Sequence, residues 1–135
     1  MSDLLSKAAA TLDAVGIIVW LWDPQTSRLR PALTYGYSDK VLAQLPAVER
    51  DAHNATAEAF RSARLCTVDS RDEVSGALVV PLIAPTGCEA VLAIELHHGT
   101  ERVDSVRALA TIFAALLVRW IAAEQPAAAA DRLLA

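Results

Sequence analysis

The stretch Ser75–Leu96, SGALVVPLIAPTGCEAVLAIEL, decides the fold of this chain. Two apolar runs, Gly76–Ala84 and Ala90–Leu96, flank Ala84-Pro85-Thr86-Gly87, and a proline and a glycine so placed suit a turn that reverses the chain. The pattern predicts a β-hairpin. Its first strand alternates Leu78, Val80 and Leu82 with Ala77, Val79 and Ile83; apolar on both faces, it belongs within a sheet covered on both sides. The second sets Leu92, Ile94 and Leu96 on one face and Val91, Ala93, Glu95 and His97 on the other, so one face is less strictly dry. Pro81 sits awkwardly in this reading, because proline removes a ladder donor.

Upstream, residues Asp3–Val15 carry Leu4, Leu5, Ala8, Leu12 and Val15 on an alanine-rich segment, which predicts a helix ending at Gly16. Ile17–Trp22 and Leu29–Thr34 read as two strands around the loop Asp23-Pro24-Gln25-Thr26-Ser27. Tyr35-Gly36-Tyr37-Ser38 is punctuation, and Lys40–Leu45 has room for a short helix before Pro46. From Asp51 or Asn54 a helix with a small apolar face follows, built on Ala55, Ala59, Phe60 and Ala63. Leu65–Val68 is a short strand, and Asp69–Glu73 a charged loop leading into the hairpin.

After Gly99 a helix from about Val103 to Ala123 places Val103, Val106, Ala110, Phe113, Leu117 and Trp120 at spacings of three and four, with Leu109, Ile112 and Leu116 beside them. This apolar arc spans roughly 200°, about twice what packing on one sheet demands, and predicts a second partner for the helix. Pro126 should break it. Residues 1–123 therefore read as one domain, and residues 124–135 as a tail or linker.

The chain has 135 residues, 54% of them hydrophobic and 21% charged, enough for a single core without staples. A net charge of −4 with acids and bases interleaved argues against nucleic acid or an anionic membrane as partner. The start shows no basic n-region followed by an apolar core, so no secretory signal is expected, and Cys66 and Cys88 suit a reducing cytoplasm. The unbroken apolar run Ala108–Val118, bounded by Arg107 and Arg119, falls short of the roughly 20 residues of a membrane helix.

The order of these elements, with AFRSARLCTVD, the hairpin sequence and the closing VDSVRALATIFAALL, resembles a GAF domain, a relative of the PAS fold. The resemblance covers about Leu4–Ala123; Ser75 to Leu82 matches a Ser-x-x-x-x-x-Pro-Leu strand, and Tyr35-Gly36 sits where the second strand closes. It implies an α+β fold with a central antiparallel sheet of about six strands. The N- and C-terminal helices would pack on one face, and short helices and loops would roof the other over a small-molecule pocket. A PAS-like fold is the alternative, and the long helix after the last strand favours GAF.

The subtype marks of the family narrow the function. The Asn-Lys-x-x-Phe-x-x-x-Asp-Glu pattern of cyclic-nucleotide binders is absent, and Cys66-Thr67 and Cys88-Glu89 lack the Cys-His of covalent bilin binders. Free methionine sulfoxide reductases use cysteines of this fold in a redox relay, for which Cys66 and Cys88 are the candidates, though both also read as small hydrophobes. Adjacent His97 and His98 should point to opposite faces of a strand and so not share a metal. His53 reads as a solvated turn residue. No Gly-x-Ser-x-Gly, phosphate loop or paired-carboxylate motif appears.

The residues expected to line a pocket are Trp20, Tyr35, Tyr37, Asn54, Thr56, Phe60, Thr67 and Ser75. Trp20 also fits simple core packing, and Asn54 and Thr56 fit helix capping. The expected function is a non-enzymatic sensory or regulatory module of bacterial signalling. It would bind a small molecule of unknown identity, with the cofactor unknown and no metal site, and form a homodimer through helices 3–15 and 103–123. The alternatives are a structural dimerisation module whose pocket is filled by its own side chains, and a thiol oxidoreductase.

Overall fold

The computed structural model describes residues 2–134, with side chains described for residues 3–122. In chain order the elements are α1 (Ser2–Leu12), β1 (Ala14–Asp23), β2 (Arg28–Tyr35), α2 (Asp39–Ala43), β3 (Val48–Glu49), α3 (Ala55–Ser62), β4 (Cys66–Val68), β5 (Gly76–Ala84), β6 (Gly87–Leu96) and α4 (Asp104–Leu134), with a 3-10 turn at Thr100–Arg102. The strands form one antiparallel sheet in the order β3-β2-β1-β6-β5-β4, so the fold is α+β as the sequence implies.

The hairpin is β5 and β6, closed at Ala84↔Gly87. Alternation sorts its side chains onto two faces. Leu78, Val80, Leu82, Ala90, Leu92, Ile94 and Leu96 join Ile17 and Val19 under α1 and α4. On the opposite face Val79 and Val91 join Ile18, Trp20 and Leu29, with Ala59 of α3 packed over them. Burial of both faces is what an apolar strand of this kind requires.

Pro81 has a physical account in the register. β4 pairs only with Ala77, Leu78 and Val79, so Pro81, opposite Val91, lies where β5 has no outer neighbour whose ladder it could interrupt. Pro31 of β2 repeats the arrangement, because β3 reaches only Arg28 and Leu29. Each proline stands two residues beyond the end of a short edge strand, where proline is tolerated.

Several boundaries differ from expectation. The first helix ends at Leu12 rather than Gly16, because Asp13 adopts a left-handed conformation (φ 52°) and Ala14 and Val15 already belong to β1. β6 stops at Leu96, so His97 and His98 lie in the following turn instead of on opposite strand faces. β3 is a two-residue strand with no periodicity to announce it. α4 runs on through Pro126 to Leu134; a proline removes one helical hydrogen bond, and the alanines that follow it have the highest helix propensity. The side chains of the 124–135 tail lie outside the described residues.

One face of α4, carrying Ala110, Ala114 and Leu117, is buried against the sheet, with Val106, Leu109, Phe113, Val118 and Ile121 partly buried beside them. The window Asp104–Ala122 is long and apolar enough by composition to cross a membrane, with a mean hydropathy of 1.6. The expectation drawn from the unbroken run was narrower because a span tolerates Asp104 and Arg107 near one end. Of that window 17% is buried, at Ala110, Ala114 and Leu117, which pack onto the sheet. The outward stripe is different: Ile112 is 55% exposed and Leu116 44%.

At its start α4 is fastened by polar contacts. Glu101, in the 3-10 turn, is 1% exposed and accepts hydrogen bonds from Ser70 Oγ (3.1 Å) and the Gly99 N–H (3.1 Å). Gly76 leaves the space for it, since a Cβ there would collide with the Glu101 carboxylate. Arg107 donates to Thr67 Oγ1 (2.6 Å) and to the Glu101 carbonyl (3.2 Å), and Arg102 pairs with Asp69 at 2.6 Å.

Candidate functional site

The sheet face beneath α3 is where a pocket is expected, and its own side chains occupy it. Asn54 begins α3, its Oδ1 accepting from the Ala57 N–H at 2.9 Å. Ala57 and Ala59 are fully buried, and such small side chains let the helix sit close to the strands. Phe60 stacks on Trp22 with ring centroids 4.9 Å apart and planes 19° from parallel. Trp20 is 6% exposed among Ile18, Leu29, Val79 and Val91.

Of the residues expected to line the pocket, Trp20, Tyr37 and Phe60 pack in one cluster and the others do not join it. Trp20 and Phe60 share the second face as core, and Asn54 caps α3 with Thr56 in its first turn. Tyr35 ends β2, largely exposed. Tyr37 donates to Glu95 Oε1 at 2.7 Å, and its ring fills the space that Gly16 leaves. Burial, and after it the hydrogen bond to Glu95 and that carboxylate's charge, push the Tyr37 phenol well above its ordinary pKa, so it stays a neutral donor. Thr67 is engaged by Arg107 of α4, and Ser75 stands at the entrance to β5. Val91 is buried and Glu95 is satisfied by Tyr37. What remains open there is a recess of about 390 Å³ bordered by Trp22, Arg50, Phe60, Arg61, Ala63 and Cys88.

A larger cavity, about 600 Å³, lies at the hairpin end of the sheet, where Trp22, Leu82, Cys88, Glu89, Val118 and Ile121 are among its walls. The sequence reading missed it. No local pattern signals it, because its walls come together only through the register of β6 and the length of α4.

The two thiols do not suit a relay. Cys66 pairs with Val79 and Cys88 with Ile83, on opposite sides of β5. Four residues of rise and two strand spacings put their backbones roughly 16 Å apart, far beyond disulfide reach. Burial, foremost, raises both thiol pKa values, opposite to the shift an attacking thiolate needs. Among the described residues no group of three or more His, Cys, Asp or Glu gathers in a metal-holding cluster.

An antiparallel six-stranded sheet with its terminal helices on one face and a short helix over the other defines a PAS-like domain of the sensory and regulatory kind. The GAF domain family profile matches residues 1–123, and the chain belongs to that family. Solved structures agree in fold. The second GAF domain of DevS from Mycobacterium smegmatis is 24% identical, with 96% of this chain and 94% of that chain covered and a TM-score of 0.73. The nlh2 GAF domain of A. aeolicus in an inactive state is 14% identical over 90% of this chain and 82% of that one, with a TM-score of 0.75. The free methionine-R-sulfoxide reductase of Neisseria meningitidis, in complex with its substrate, is 16% identical over 94% and 83%, with a TM-score of 0.67. Comparison with curated proteins gives no match.

Proposed function

We propose that this GAF domain is a non-enzymatic regulatory module that acts as a homodimer through α4, with α1 beside it. The observation that carries the reading is the outward stripe of α4. Ile112 and Leu116 stand four residues apart on it, 55% and 44% exposed. Such a pair is complementary to itself: two copies related by a two-fold axis can set Ile112 and Leu116 face to face.

The filled face beneath α3 supports regulation through the helices over a ligand held at Trp20, Tyr35, Tyr37, Asn54, Thr56, Phe60, Thr67 and Ser75. The separation of the two thiols supports a non-catalytic role in a reducing, cytoplasmic setting. The net charge of −4, with acids and bases interleaved, supports a partner that is neither nucleic acid nor an anionic membrane. Sedimentation velocity tests the proposal. The chain should sediment as a dimer at high micromolar concentration, and Ile112→Glu with Leu116→Glu should yield a monomer with unchanged circular dichroism. A monomeric parent, or a double variant that remains dimeric, would overturn it.

A further inference from the structure

The pairing of β1 with β6 ends at Leu21↔Ala90, and Glu89 is the extra residue of a bulge, since Leu82 faces Ala90 while Ile83 faces Cys88. Beyond that point β1 continues to Asp23 and β6 begins at Gly87, but neither has the other as ladder partner. A β-bulge of this kind bends its strand and ends pairing. The strands therefore splay, and the cavity of about 600 Å³ opens between them, roofed by Val118, Ile121 and Ala122 of α4.

Three properties define what fits. The volume lies within the range of small-molecule sites. The walls are mostly apolar, Leu21, Leu82, Val118 and Ile121 among them. Among the described lining residues Glu89 is the one carboxylate, and no lysine or arginine accompanies it there. The other polar side chains are already committed as donors, Thr86 Oγ1 to Glu89 Oε1 and Cys88 Sγ to the Ala90 carbonyl. The second Glu89 oxygen has no hydrogen-bond partner among the described residues, so the site offers an acceptor and a negative charge at the edge of an apolar slot.

We infer that the cleft between β1 and β6 under α4 is a binding site for a small arylalkyl amine, its ring against Leu82 and Ile121 and its ammonium at Glu89. The site differs from the α3 face, and it stands whether or not α4 pairs with a second copy. Its occupant touches α4 directly.

Amide NMR of the whole 135-residue chain, titrated with 2-phenylethylamine, 2-phenylethanol and phenylacetate, tests this. The amine should give saturable shifts confined to residues 21–24, 84–90 and 118–122 and bind more tightly than the alcohol, with phenylacetate weakest. Glu89→Gln should weaken the amine about two- to fivefold, as loss of an exposed ion pair does, and leave the alcohol unchanged. Ala122→Trp, at an exposed helix position, should fill the slot and abolish binding while the remaining amide shifts hold. Equal binding of all three probes, shifts centred on α3, absence of saturation, or unaltered binding to the Ala122→Trp protein would each overturn the assignment, and none bears on dimerisation.

Discussion

Among the described residues Glu101 is the one buried charged side chain. Burial pushes its carboxyl pKa up, but hydrogen bonds from the Ser70 hydroxyl and from backbone N–H groups outweigh this and hold it below the ordinary glutamate value. A depressed folded-state pKa means that the charge stabilises the fold above the unfolded value and that this contribution is lost as pH falls through the folded one. Glu101→Gln should therefore lower the urea midpoint at pH 7, and the difference from the parent should begin to narrow near about pH 4.3 and close only below the lower folded-state value. A difference independent of pH would show that shape matters at this site and charge does not. Tyr37 has a related role: Tyr37→Phe deprives Glu95 of its donor and should cost about 1 kcal/mol in urea unfolding.

At the scale of elements, α3 shows how a pocket face becomes core. Two alanines bring the helix close, Trp22 and Phe60 stack, and Trp20 fills the space between strands. Trp20→Ala should then cost about 3–5 kcal/mol in unfolding free energy, as deletion of a buried aromatic does; a cost near zero would mean that Trp20 faces open space. The hairpin, the two-faced sheet and the helix stripe were legible because period-2 and period-3.6 patterns write themselves into residue order. The end of α1 was not, because a left-handed Asp13 carries no pattern, and neither was β3, too short to have a period. Pro81 became intelligible only with the length of β4 known. The pocket residues were the hardest to read, since Thr67 and Phe60 fall on opposite sheet faces according to a register that local sequence leaves open.

For the whole molecule, pairing through α4 has a thermodynamic signature separate from sedimentation. A dimer gains stability by mass action, so the melting temperature of the parent should rise with protein concentration while that of Ile112→Glu, Leu116→Glu stays constant; parallel behaviour of the two would speak against pairing through this stripe. The polar fastening at Arg107, Thr67, Glu101 and Ser70 then acquires a mechanical meaning. It is a fulcrum. α4 rises ~1.5 Å per residue, so with the pivot at Arg107 the arm to Ile121 is ~21 Å and the arm to Leu134 ~40 Å. A sideways push on Ile121, whose side chain roofs the cleft, is about doubled in displacement at the far end of a straight helix.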